Sequence, residues 1–232
     1  MREIVLDTET TGFDPLDGHR IVEIGCVELF NQIPTGKTYH QYINPERDMP
    51  TEAFDVHGLG DEFLAGHPVF TEIVADFIDF LGDAKLVIHN AEFDMRFINF
   101  ELERAGFPAL PNNRAVDSLA IARRKFPGSP ASLDALCRRF EVDNSNRGYH
   151  GALLDSELLA EVYLNLLGGR QHGLTLGRED ESGPRSSAVQ VEIKRQNRPY
   201  RHFEISDAEL TAHNEMLAEL SDPLWMREDA SP

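Results

Sequence analysis

Two acidic residues separated by one threonine end an apolar segment near the start of the chain. Residues 4–12 are IVLDTETTG, so Asp7 and Glu9 directly follow three aliphatic residues. Residues two apart on a strand point to the same face, and two carboxylates about 5 Å apart repel by roughly 3 kcal/mol at an effective dielectric constant of about 20. A divalent cation reverses the sign of that cost, and hard oxygen ligands suit Mg²⁺ or Mn²⁺. A solvated turn is the alternative, because it would also tolerate both acids.

Two further aspartates are predicted to head the apolar faces of helices. Asp155 lies near the start of a predicted helix over residues 152–167, and the positions three and four residues along its face are apolar. Asp94 lies in the first turn of a predicted helix over 91–105. Aspartate is seldom buried unless it is paired or binds a metal. Acids directed at the core from three elements favour a metal centre, although Asp94 alone could simply complement a helix dipole.

A histidine precedes the last of these acids by five residues. His150 lies in YHGALLD, the loop that enters the predicted helix, and Gly151 beside it gives the loop freedom to move. A histidine has a pKa near neutrality, so beside a bound water it can act as a general base. The alternative is an ordinary loop histidine. The other histidines form no H-E-x-x-H or similar pattern, so no zinc site is expected.

The elements that must position these residues follow from the hydrophobic pattern. Strand patterns cover residues 3–7, 20–30, 37–43, 85–89 and 114–118. Apolar residues at helical spacing cover 70–81, 91–105, 133–140 and 152–167. Three strands followed by alternating helices and strands predict an α/β fold, in which helices pack on a mixed sheet.

The composition is that of a globular protein with an acid excess. A net charge of −18 argues against a protein that holds nucleic acid through its overall field, but not against an enzyme that meets phosphates through bound cations. No apolar run reaches the ~18 residues of a membrane span, and the first strand pattern leaves no room for a signal peptide. Cys26 and Cys137 have no metal-like spacing and fit buried thiols. We therefore expect a cytoplasmic protein that has no membrane partner.

Three segments resemble, in order, the three motifs of the DEDDh 3′–5′ exonucleases: DTETTG, HNAEFD and HGALLD. Four residues separate His150 from Asp155, which matches the h-type of this family. In the y-type, three residues would separate a tyrosine from the last aspartate, and Tyr149 is too far from Asp155 to fit. The resemblance implies a ribonuclease-H-like fold and a mechanism with two Mg²⁺ or Mn²⁺ ions. In the family pattern His150 deprotonates the attacking water, and four acids hold the ions directly or through water, the first of them as a bridging ligand: Asp7, Glu9, Asp94 and Asp155.

The segments between the motifs resemble, from residue 2 to about 168, the family members that proofread for bacterial replicative DNA polymerases. This likeness implies that Glu52 and His57, in EAFDVHGL, contact the terminal nucleotide. The backbone around Thr8 and Thr10 is expected to line the same pocket, together with the acids Asp7, Glu9 and Asp155. Asn90 is expected to be an outer hydrogen-bonding residue, and Phe93 and Phe97 are expected to be core residues. Taken alone, Glu52 and His57 would be ordinary surface residues.

The chain changes character after residue 168. Residues 171–176, QHGLTL, resemble the peptide with which these proteins bind the sliding clamp, through Gln171, Leu174 and Leu176. Residues 177–187 are charged and rich in Gly, Ser and Pro, which predicts a linker. We therefore divide the chain into an exonuclease domain (1–168), a clamp peptide with its linker (169–205) and a tail (206–232). A plain linker with two leucines is the alternative to the clamp peptide.

The tail contains a predicted helix and the single tryptophan. Ser206 and Glu209 form a capping-box pattern for a helix that runs to about Leu220, and LWMR follows it. The segment resembles the anchor of these proteins on the alpha subunit of DNA polymerase III. A short isolated helix makes no core but can occupy a partner's groove, whereas a disordered tail is the alternative. The sequence does not tell whether a theta-like subunit is also bound.

Three functions are consistent with these patterns. The first is a proofreading exonuclease that removes mispaired 3′ nucleotides from single-stranded or mispaired DNA ends as 5′-monophosphates. The second is a relative that trims RNA, since the same chemistry attacks either phosphodiester. The third is a scaffold without catalysis. The clamp-like peptide and the tail favour DNA, and the presence of all four acids with His150 disfavours a scaffold.

Overall fold

The structure, a computed structural model, describes residues 1–145, 149–169 and 205–219. The chain divides into two units, Met1–Gly177 and Arg178–Pro232. The described strands of the first unit are β1 (Arg2–Thr10), β2 (Ile21–Phe30), β3 (Ile33–Tyr42), β4 (Lys85–Ile88) and β5 (Ala115–Asp117). Its described helices are α1 (Thr51–His57), α2 (Asp61–Leu64), α3 (Phe70–Leu81), α4 (Ala91–Arg104), α5 (Ser118–Lys125), α6 (Leu133–Phe140) and α7 (Ala152–Leu166).

The five strands form one mixed sheet with β1 at its centre. The strand order is β3-β2-β1-β4-β5. β1, β2 and β3 are antiparallel neighbours, whereas β4 is parallel to β1, and β5 is parallel to β4. The mixed α/β fold predicted from the sequence is therefore confirmed.

Side chains on β1 alternate between two helical layers. Ile4 and Leu6 lie in a core cluster with residues of α3 and α4. Val5 lies in the opposite cluster, with residues of α6 and α7. Because side chains alternate along a strand, Asp7 and Glu9 follow Val5 towards the α7 layer, whereas Thr8 follows Leu6 towards the α4 layer. The end of β1 therefore presents groups to both layers.

A buried ion pair joins the start of β2 to α4. Arg20 donates from Nε and Nη2 to the two carboxylate oxygens of Glu101, at 2.6 and 2.9 Å, and from Nη1 to the carbonyl oxygen of Pro45 at 3.1 Å. Both side chains are almost completely buried. The two-pronged geometry fixes both the distance and the orientation between the helix and the strand.

The predicted strands and long helices are present, with ends that differ by a few residues. Residues 33–36, which carry no clear pattern, begin β3. Three helices were not predicted, α1, α2 and α5, and α2 is only four residues long. In α1 the apolar residues Phe54 and Val56 are exposed, and in α5 the buried residues are only Ser118 and Ala122. Neither α1 nor α5 therefore shows the apolar periodicity on which sequence-based assignment depends.

The described part of the second unit is one helix, α8 (Asp207–Glu219). The predicted capping box is confirmed, because Ser206 Oγ accepts the N–H of Glu209 while Glu209 Oε2 accepts the N–H of Ser206. Gln171, Leu174 and Leu176, most of the linker and LWMR lie outside the described residues. The predicted domain boundaries at 168 and 205 stay predictions. Among the described helices, none is long and apolar enough to cross a membrane.

Candidate active site

The four predicted acids and His150 line one open cavity of about 460 Å³ at the end of β1. Residues from β1, the β4–α4 connection, α6 and α7 contribute to its wall. Its lining residues are Asp7, Thr8, Glu9, Phe13, His89, Asn90, Phe93, Asp94, Ser132, Leu133, Asp134, His150 and Asp155. Residues that are up to 148 positions apart in the sequence thus meet in one place.

Asp155 reaches this cavity because α7 packs unusually close to β2. Gly25 of β2 lies directly opposite Asp7 of β1. A methyl group at Gly25 would lie 2.2–2.3 Å from backbone atoms of Ala152 and Leu153, so the contact requires glycine. Ser156 Oγ also donates to the Gly25 carbonyl oxygen at 2.9 Å. The first turn of α7, with the buried Asp155, is therefore held against the strand pair that carries Asp7.

Asp94 approaches from the α4 layer. Its Oδ1 accepts two hydrogen bonds from Thr8, from the backbone N–H at 3.1 Å and from Oγ1 at 2.7 Å. Burial raises the pKa of Asp94 to about 7, although the Thr8 hydrogen bonds act in the opposite direction. A carboxyl group kept in so poorly solvated a place resists ionisation unless a cation lies near it.

His150 contacts Asp155 from the open side of the cavity. Its Nδ1 lies 3.2 Å from Asp155 Oδ2, and its side chain is 47% exposed whereas that of Asp155 is buried. If Nδ1 carries the proton of this hydrogen bond, Nε2 is the nitrogen that accepts a proton. The backbone N–H of His150 donates to the carbonyl oxygen of Val56 at 3.1 Å, which attaches its loop to α1.

The donor set of the cavity fits a hard divalent cation. Glu9, His150 and Asp155 each offer a ligand atom, and these atoms lie within 4.8 Å of one another. Asp7 projects from the same face of β1 as Glu9, and Asp94 adds a fourth carboxylate. A set dominated by carboxylate oxygens suits Mg²⁺ or Mn²⁺ better than zinc.

A second cavity of about 360 Å³ adjoins the first and is more apolar. It shares Thr8, Glu9, Phe13 and Phe93 with the first cavity, and α1 forms its other wall. All of the predicted nucleotide contacts outside the acid cluster lie around it: Thr8, Thr10, Glu52 and His57. The structure thus brings these residues together beside the acids.

His57 is buried in the wall of the second cavity. Its Nδ1 accepts the backbone N–H of Leu59 at 3.1 Å, which assigns the ring proton to Nε2. Burial is the largest influence on this residue and lowers the pKa of His57 below its ordinary value. His57 is therefore a neutral hydrogen-bond donor at neutral pH.

The expectations for the neighbouring residues are met in part. Phe97 is fully buried in the core, whereas Phe93 is only partly buried and lines both cavities. Asn90 lines the first cavity with a left-handed backbone (φ 70°), and its N–H donates to Asp117 Oδ1 at 3.2 Å.

Several cavity residues were missed from the sequence. Phe13 is 83% exposed and lines both cavities, and its position directly after DTETTG was the available signal. His89 lines the first cavity, with Nδ1 2.9 Å from Ser118 Oγ. Leu133 and Asp134 were predicted only as the start of a helix, and Ser132 is its N-cap.

The fold is shared with solved nuclease structures. The nuclease domain of 3′hExo, described as a DEDDh family member bound to rAMP, superposes with a TM-score of 0.62 at 20% identity, over 72% of this chain and 91% of that one. Exonuclease X in complex with 5′ overhanging duplex DNA gives a TM-score of 0.56 at 24% identity, over 71% and 90%. At such identities the likeness concerns the fold, and it confirms the predicted ribonuclease-H-like architecture.

Residues 4–163 match the RNase T family model, which is described as Exonuclease. The matched segment contains all four acids and His150. The first unit of this chain therefore has the fold and the sequence of an exonuclease.

Curated relatives narrow the family further. The chain is 57% identical to DNA polymerase III subunit epsilon of Rickettsia felis over 174 residues, which are 74% of this chain and 76% of the relative. It is 46% identical to the epsilon subunit of Salmonella typhimurium and 44% identical to that of Escherichia coli, in each case over 93% of this chain and 92% of the relative. The chain belongs to the DNA polymerase III epsilon subunits, a family of exonucleases. The family expected from the sequence motifs is thus confirmed.

Proposed function

We propose that this chain removes mispaired 3′-terminal nucleotides from DNA as 5′-monophosphates, by hydrolysis that depends on two divalent cations. The single observation that supports it most is the convergence of four acids and His150 on one open cavity beside an apolar one. Membership in the epsilon family supports the assignment to replication.

Asp7, Glu9, Asp94 and Asp155 would hold the cations, with Asp7 as the shared ligand. The pair would be Mg²⁺ or Mn²⁺. Two such ions supply charge that activates a water molecule and stabilises the leaving oxygen and the phosphoryl group. Their charge also explains how a cavity lined by carboxylates accepts an anionic phosphodiester.

His150 takes the proton of the attacking water. Its partly exposed ring lies at the mouth of the cavity, where it can meet water, and Asp155 orients it through Nδ1. A histidine that meets water at the cavity mouth can take this proton, whereas the four carboxylates would be engaged by the cations.

The second cavity receives the terminal nucleotide. Its apolar wall suits a base and sugar, and the polar groups of Thr8, Thr10, Glu52 and His57 orient them. Asp7, Glu9 and Asp155 would meet the phosphate on the side of the first cavity. The exposed ring of Phe13, between the two cavities, offers a face on which a base can stack.

The proposed partners are the alpha subunit of DNA polymerase III and the sliding clamp. The relatives carry the polymerase in their names, and the chain has a clamp-like peptide at Gln171, Leu174 and Leu176. The tail, which includes α8, would bind the alpha subunit. A tether of this kind raises the local concentration of the nuclease beside a primer end without fixing its orientation.

A gel assay tests the proposed function. The substrates are 5′-labelled oligonucleotides, single-stranded, fully paired or with a mispaired 3′ end, in Mg²⁺ or in EDTA. We expect stepwise shortening from the 3′ end that requires metal and is faster for unpaired ends. Asp155→Ala protein, prepared identically, controls for contaminating nucleases and should be inactive. If only RNA of the same sequence is shortened, the substrate assignment is wrong, and if neither is shortened, the chain is a scaffold.

A further inference from the structure

The segment that carries His150 is attached to α1 by two contacts outside the acid cluster. One is the backbone hydrogen bond from His150 N–H to the Val56 carbonyl oxygen, 3.1 Å long. The other is the ring of Tyr149, which covers Gly58. A methyl group built on Gly58 would lie 3.4–3.5 Å from three of the ring carbons.

Gly58 provides the flat surface that the ring covers. It ends α1 in a left-handed conformation (φ 72°) and lacks a side chain, so an aromatic ring can lie directly on the backbone. Tyr149 is nevertheless 63% exposed, which makes a purely core role for this ring a poor explanation.

On its other side, His150 leads directly into α7. Gly151 follows His150 and forms the N-cap of α7 without a side-chain hydrogen bond. A side chain built on Gly151 would meet nothing within 4 Å. The carbonyl oxygen of Gly151 accepts the N–H of Asp155 at 2.9 Å, so α7 and α1 restrict the position of the histidine from its two sides.

Helix α1 is also a wall of the cavity that adjoins the acids. Val56 and His57 line this cavity, and Val56 is the residue whose carbonyl oxygen holds His150. His150 lies near enough to His57 for its positive charge to add to the lowering of the His57 pKa. Helix α1 thus lines the cavity expected to receive the nucleotide and also holds His150, the expected general base.

We infer that Tyr149 is a positioning residue, whose ring on Gly58 holds the backbone hydrogen bond of His150 and so places the imidazole at the acid cavity. The inference rests on the proposed function for its catalytic consequence. Tyr149 itself does not line either cavity. Its removal should therefore affect the chemical step more than substrate affinity.

The test compares Tyr149→Ala with Tyr149→Phe in the full-length chain. Phe30→Ala is the matched control, because Phe30 is also exposed (58%) but lies at the far end of β2. Hydrogen exchange of the His150 amide in EDTA reports the hydrogen bond to Val56 directly. Steady-state kinetics on a single-stranded oligonucleotide in Mg²⁺ report kcat and KM separately.

We expect the His150 amide of Tyr149→Ala to exchange about tenfold faster than that of the wild type. We expect kcat to fall about tenfold, with KM changed less than about twofold. Tyr149→Phe keeps the ring and should restore both, and Phe30→Ala should change neither. Unchanged exchange, an unchanged kcat, or a raised KM with normal kcat in Tyr149→Ala would each overturn the inference. An inactive wild type would instead refute the proposed function, and the exchange measurement would still decide whether Tyr149 holds the loop.

Discussion

Gly25 and Ala152 touch through their backbones, and Gly25 is paired with Asp7 across the sheet. This contact sets the distance between the strand that carries two of the acids and the helix that carries a third. The close approach is possible because Gly25 has no side chain, so a substitution that adds one methyl group at this position is enough to test it.

Gly25→Ala should move the first turn of α7 away from β2, because the added carbon would lie about 2.2 Å from the helix backbone. A displacement of about 1 Å in a catalytic group can cost about 100-fold in rate, and we expect a loss of kcat on that order. Kinetics on a single-stranded oligonucleotide, together with circular dichroism, measure it. Gly66→Ala is the control, since its added carbon makes only an ordinary contact. Wild-type kcat in Gly25→Ala would show that α7 tolerates the shift.

Asp94 should make the metal-free protein less stable as pH rises. Burial raises the pKa of Asp94 from 3.8 to about 7, so the folded state holds more protons than the unfolded state between these values. The free energy of unfolding therefore falls as pH rises from about 4 to about 7. Asp94→Asn removes this titration and should flatten the curve. Urea unfolding in EDTA at about pH 4 to about pH 8 measures it.

The exposed Asp17 supplies the matched control for that series. Asp17→Asn should follow the wild-type pH dependence. Parallel curves for Asp94→Asn and the wild type would mean that Asp94 titrates normally in the folded protein.

His150→Gln should separate a proton acceptor from a metal ligand. We expect kcat to fall by about 10²- to 10⁴-fold, as is typical for the loss of a general base. The increase in melting temperature on addition of Mn²⁺ should persist, because the four carboxylates remain. Calorimetry with and without Mn²⁺ checks this, with Asp7→Asn as the variant that loses the increase. If Mn²⁺ no longer raises the melting temperature of His150→Gln, His150 is a metal ligand. Its closeness to Glu9 and Asp155 is compatible with that role.

The buried pair of Arg20 and Glu101 should be costly to break. Arg20→Met leaves the Glu101 carboxylate buried among groups that no longer neutralise it, and we expect a loss of about 3–5 kcal/mol in the free energy of unfolding. Arg20→Met combined with Glu101→Leu should recover part of that loss, since no buried charge remains. Urea unfolding of the three proteins gives the comparison. Equal losses in the single and double variants would assign the effect to packing alone.

Alanine at Gln171 and Leu174 should weaken binding to the sliding clamp and leave cleavage of a free oligonucleotide unchanged. Side chains of such peptides fill pockets in the partner, and their truncation commonly costs more than about 1 kcal/mol each. Surface plasmon resonance on immobilised clamp measures the affinity. An unchanged affinity would show that the clamp, if bound at all, is bound elsewhere.

The acids were predictable from the sequence for a definite reason. Asp7 and Glu9 follow a period of two, and Asp94 and Asp155 interrupt an apolar helical face, so each is conspicuous in a local window. The layered sheet followed from the same periodicities. The resemblance of the three segments DTETTG, HNAEFD and HGALLD to the exonuclease motifs then predicted that these separate residues form one site.

The remainder of the site depends on contacts that no local window contains. Phe13 and Tyr149 are exposed residues in loops, where hydrophobic periodicity gives no information. Gly25 is needed because of its contact with α7, a helix that begins more than a hundred residues later in the chain. Helix α1 exposes apolar residues rather than burying them, so its sequence has no amphipathic pattern. Such features become visible only when the two layers are assembled.

Because the side chains of β1 alternate between two helical layers, the acid site is complete only when both layers are packed on the sheet. Asp94 arrives with the layer that packs on Ile4 and Leu6, and Asp155 arrives with the layer that packs on Val5. A partly assembled chain, with either layer undocked, brings fewer than four of these carboxylates together. Exonuclease activity therefore depends on the docking of both layers on β1.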